Sequence, residues 1–184
     1  MKYRKKVALA SALAITLTTL SACQKGSEPV DGGAETSSVG LKHLPISINA
    51  AMVGITDQSA DYIWAVGNGD LPKDQHDWDL VRGAVYDMIL SGQILQVPGT
   101  GEFDAQWVTN KDWQQHAETL TKIGQDALPL AEAKSEDVEA WRAIGNRLID
   151  NCLACHKLFK PDVPSQGIMH ESMDREALGK SIFD

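Results

Sequence analysis

"AWRAIGNRLIDNCLACHKLFKP" (residues 140–161) is the stretch on which the reading of this chain turns. Val138, just upstream, and then Trp141, Ile144, Leu148, Cys152, Cys155 and Phe159 recur at spacings of three and four. That period puts them on one stripe of an α-helix. Ser135 opens the segment, and Glu136 and Asp137 suit a helix N-terminus. Lys157 and Lys160 complement the negative end of the helix dipole, and Pro161 stops the helix.

Inside this helix lies Cys152-Leu153-Ala154-Cys155-His156. Cysteines at i and i+3 project from one helix face, so both thiols can add to the two vinyl groups of one porphyrin. The histidine that follows can then bind the iron. C-x-x-C-H is the attachment signature of c-type haem, with His156 as proximal ligand. Zinc would want a second Cys/His pair, and none stands at zinc spacing. Thioredoxin-like chemistry would want the pair at a helix start within a βαβ pattern, which is also missing. A plain disulfide is the remaining alternative. The expectation is one covalent haem c on Cys152 and Cys155.

Three more helical patterns precede this one. The first covers about 46–66, with Pro45 before it and a stripe of Ile48, Met52, Ile55, Ser59, Ile63 and Val66. The second covers 74–92, with Trp78, Val81, Val85, Met88 and Ile89 inward and Gly92 as C-terminal cap. The third starts from Thr109 as cap, with Asp112 three residues on, and Pro129 should kink its last turn or end it early. Val97-Pro98-Gly99 should turn the connection before it. No strand pattern competes, so the fold class is all-α. Short connections make an antiparallel up-down-up-down four-helix bundle the default.

The N-terminus reads as an export signal. A basic "MKYRKK" precedes the apolar "VALASALAITLTTL", which at fourteen residues is short for a bilayer span. Leu20-Ser21-Ala22-Cys23 looks like a bacterial lipobox, in which Cys23 carries lipid. Residues 1–22 are then the signal peptide and 23–43 a lipidated, Gly/Ser-rich tether. Residues 44–160 form the helical domain, and 161–184 a tail with a short helix near 172–182. Such a protein is periplasmic and membrane-anchored through its lipid. Gln24 points to the inner leaflet of the outer membrane. Loss of Lys2, Arg4, Lys5 and Lys6 lowers the basic count from 17 to 13 against 25 acids, a net charge near −12. Phosphate repels such a surface, so nucleic acid is not an expected partner.

An all-α chain with C-x-x-C-H in its last long helix resembles the class II cytochromes c, the cytochrome c′ and cytochrome c-556 group. The resemblance covers about residues 44–160. It implies a four-helix bundle with the haem pinned to the final helix, and a homodimer in several members. In c-556-like members a Met in this part of helix 1 is the sixth iron ligand, which maps onto Met52. In c′-like members the iron is five-coordinate.

In an up-down bundle the start of helix 1, the 92–113 connection and the end of helix 4 share one pole. Met52 is therefore the expected distal ligand, against the alternative that it is apolar filler. His116 is the rival at the same pole. His43, His76, Met169, His170 and Met173 are less well placed. Trp107, Trp113, Ile94, Leu95 and Val97 could wall the ring. His/Met ligation implies a single-electron carrier that meets a redox partner protein. The alternative is a five-coordinate haem protein that binds NO or CO. No distal His–Arg pair, catalytic Ser/His/Asp set or Gly-rich phosphate loop stands out, so an enzyme is not expected.

Overall fold

The structure, a computed structural model, describes residues 42–160 and 177–184. All of these lie within one compact unit, Val39–Asp184. The expected signal peptide, Cys23 and most of the expected tether fall outside the described residues, as do residues 161–176 with Met169, His170 and Met173.

The described residues are helical, with no strand among them. Helix α1 (Ile48–Ala51) runs into a π-helical turn (Met52–Asp57) and on into α2 (Gln58–Gly67). Ser47 caps α1, its Oγ accepting from Ala50 N at 3.1 Å. This cap sets the start two residues later than the sequence suggests, because an extended Ser47 can satisfy an orphan amide where Ile46 cannot.

The π-turn also shifts the inward stripe. A π-turn closes i→i+5 and so adds a residue to the turn. Thr56 is buried where simple periodicity expects Ile55, and beyond the turn Ser59, Ile63 and Val66 are inward as expected.

Helix α3 (Gln75–Ile94) starts at Asp74, whose carboxylate accepts from Asp77 N. It does not stop at Gly92. That residue is interior, and a Cβ there would lie 2.2 Å from Ala117 O. Gly92 therefore serves close helix packing rather than capping. Gly124 does the same in return, since its Cβ would meet Ile89 at 2.8 Å.

A short helix α4 (Asp104–Val108) sits in the 92–113 connection, past Val97-Pro98-Gly99, where the sequence reading places no helix. Helix α5 (Lys111–Glu132) is capped by Asn110, whose Oδ1 accepts from Asp112 N at 2.8 Å. Thr109, the expected cap, instead donates to Gln106 O and closes α4. Asn caps better than Thr, and the two helices need different closures. Helix α5 ends three residues past Pro129.

Helix α6 (Val138–Phe159) begins after Asp137, which accepts from Ala140 N at 3.0 Å. Ser135 stays outside the helix, and its carbonyl accepts from Trp141 Nε1 at 2.8 Å.

Helix α3 packs on α5, α5 on α6, α6 on α2 and α2 on α3. The core between them is filled by Trp141, Ile63, Met88, Ile123, Leu148 and Val85, all fully buried. The chain end docks elsewhere: Ile182 N and Ser181 Oγ both donate to Asp70, and Phe183 packs on Tyr62. Residues 178–184 are turn and coil, so the helix expected near 172–182 does not extend through them.

Candidate cofactor cleft

The last turns of α6 meet the first turns of the α1–α2 run. Lys160 bonds Asn49 across this end, and Trp113 stands edge-on to Phe159 with centroids 5.1 Å apart. Between them lies a narrow, largely apolar cleft.

Four site residues expected from the sequence line this one cleft: Met52, Cys152, Cys155 and His156. Met52 comes from the start of the π-turn. The other three come from α6, where one helical turn brings both thiols to the cleft. Thr56 adds a methyl-bearing wall, and its hydroxyl donates to Ser91 Oγ on α3 at 3.2 Å. Leu95, Trp113, Ala117 and Leu120 supply apolar surface from α5 and the residue that ends α3.

Of the ring-wall residues read from the sequence, Trp113 and Leu95 line the cleft. Trp107 stacks behind Trp113, with centroids 4.9 Å apart and planes 16° apart. Ile94 and Val97 pack against the core without lining the cleft. His43 and His76 are exposed and not part of it.

Burial governs the ionisation of these groups. It pushes the Cys152 thiol up to about 12, with Cys155 and Asp57 adding to the effect. It pushes Cys155 up to about 11 against the opposing pull of Lys160. The pKa of His156 falls below the usual histidine value, first from burial and then from the Lys160 ammonium. Both sulfurs are free neutral thiols and the imidazole is biased to its neutral, ligating form.

Two residues missed by sequence reasoning shape the site. Asn151 is buried beside Cys152 and pairs twice with His116. His116 Nδ1 lies 2.8 Å from Asn151 Oδ1, and Asn151 Nδ2 donates to His116 O at 3.1 Å. The spacing Leu148–Asn151–Cys155 could have exposed it, as a polar residue on an apolar stripe. Asp104, also fully buried, accepts from Ile48 N at 2.9 Å and Gly101 N at 2.8 Å. It thereby fixes the α1 N-terminus against the loop that leads to Trp107.

The donor set suits a covalently held tetrapyrrole. An apolar slot is bordered by two thiols one turn apart, a neutral imidazole adjoining them, and a thioether from another helix. No group of three or more His, Cys, Asp or Glu side chains assembles among the described residues. No family model, curated protein or solved structure matches this chain.

Proposed function

We propose that the chain is a membrane-tethered electron-transfer protein of the class II cytochrome c type. Its helices would form an antiparallel up-down-up-down four-helix bundle. One haem c would be held by Cys152 and Cys155, ligated by His156 and Met52. Lipid on Cys23 would anchor it in the periplasm, where a redox protein is its partner. The observation that carries the reading is the cleft shared by both thiols, His156 and Met52, residues up to 104 positions apart in the chain.

When bound, haem supplies an iron that exchanges one electron between its ferric and ferrous states. The chain's own residues do the rest. Two thioether bonds from α6 would retain the group even when the fold opens. His156 presents a neutral imidazole, because its surroundings disfavour the protonated ring. Met52 offers a soft thioether, which favours a higher potential than two nitrogen ligands would. Trp113, Leu120 and Leu95 exclude water, which limits solvent reorganisation around the exchanged charge. Trp113 is itself fixed, because its Nε1 donates to Leu95 O at 2.7 Å.

The ferric absorption and EPR spectra of the purified protein test this reading. Low-spin iron with a thioether-to-iron charge-transfer band is expected. High-spin iron that takes up CO freely once reduced would replace the carrier by a gas-binding protein.

A further inference from the structure

We propose that His116 is a second distal iron ligand built into the cleft, an imidazole held in reserve for the position taken by Met52. The assignment rests on the haem reading above and concerns what this chain does when the thioether lets go.

The tautomer of His116 follows from its partner. Asn151 must turn its NH₂ toward the His116 carbonyl, since the flipped amide would set two carbonyl oxygens against each other. Its Oδ1 is then the atom facing His116 Nδ1 and accepts the Nδ1 proton, so in the neutral ring the lone pair is on Nε2. A histidine whose other ring nitrogen is pinned by a buried amide oxygen has the second-shell arrangement of a metal-binding imidazole.

Nε2 has no protein partner among the described residues. The residues around it in the cleft do not offer one. Thr56 directs its hydroxyl to Ser91, and Trp113 uses its N–H on Leu95. Ala117 and Leu120 are apolar.

The two candidate ligands are held differently. Met52 begins a π-turn, a rare geometry that occurs mostly as single turns within α-helices and frequently at functional sites. Gly54 lies in that turn, and Val53 is exposed. His116 stands in regular helix, tied by two hydrogen bonds to α6. Release of Met52 therefore leaves a fixed nitrogen donor in the same cleft. With haem bound, the exchange would replace an iron–sulfur bond by an iron–nitrogen bond, and from the neutral ring with its proton on Nδ1 it would move no proton or electron. Imidazole in place of thioether lowers the reduction potential.

The test uses the full-length matured holoprotein at neutral pH, read by ferric EPR, absorption and potentiometry. Wild type should be low-spin with the thioether band. Met52→Ala should stay low-spin, lose that band and drop in potential. Met52→Ala/His116→Ala should turn high-spin, and added free imidazole should restore its low-spin signal, which shows that the cleft is intact. Met52→Ala/Asn151→Leu, with the ring unpinned, should shift part of the iron to high spin. If the Ala variant does not fold, Met52→Leu takes its place. A single Met52 variant that is high-spin, with the same spectrum as the double variant, would overturn the assignment. Wild-type protein without covalent haem would fail by mass rather than by spin state, and would remove the reading of the cleft itself.

Discussion

Asp104 shows how much one buried carboxylate can organise. Its Oδ2 receives the first amide of α1 and the amide of Gly101, from parts of the chain 56 and 3 residues away. Asp104→Ala would leave two amides without their charged acceptor, at about 1.5–3 kcal/mol for each such bond. Urea denaturation should therefore show a loss of several kcal/mol, and Asp104→Asn, which keeps an acceptor oxygen, a smaller one. The cysteines carry a chemical prediction. Cys152→Ser and Cys155→Ser should each retain haem by a single thioether, and the double variant should release it to acidified organic solvent. Retention by the double variant would contradict covalent attachment through this pair. Cys152, Cys155 and His156 stand out in the sequence because they are contiguous, and the structure places all three on one cleft. Asp104 and Asn151 were not, because each takes its meaning from partners brought close only by folding.

The helices were legible as elements because apolar residues recur at helical period, but their ends and their contacts were not. Gly92 has the sequence appearance of a cap, and packing decides otherwise. Substitutions at two glycines of α3 should therefore have opposite signs. Gly92→Ala forces a methyl to within 2.2 Å of the Ala117 carbonyl and should cost at least the 1–3 kcal/mol typical of overpacking. Gly83→Ala meets nothing within 4 Å and should stabilise the helix by about 0.5–1 kcal/mol. Thermal melts of the two variants check this, and equal signs would show that α3 and α5 do not approach as described. The cap of α5 is a third case. Asn110→Ala should cost about 1 kcal/mol, whereas Thr109→Ala should leave α5 unaffected. The π-turn has no sequence signature that simple periodicity detects. It was visible only as the slip of the buried position from Ile55 to Thr56.

At the scale of the molecule, each long helix packs on two others, and the cleft lies where the beginning of one meets the end of another. No helix among the described residues is long and apolar enough to cross a membrane. The chain end is fastened at Asp70 and Tyr62. Lys73 and Asp184 form an ion pair there with both side chains well exposed. Exposed pairs contribute little, so Lys73→Ala should leave the unfolding midpoint unmoved, while Phe183→Ala, which strips half-buried aromatic surface, should lower it. Covalent attachment of a tetrapyrrole to α6, as proposed, is open to direct test by intact-protein and peptide mass spectrometry of material matured in a periplasm with haem-attachment machinery. The peptide containing Cys152 and Cys155 should carry the added mass of one haem. An unmodified peptide with two free thiols would contradict it.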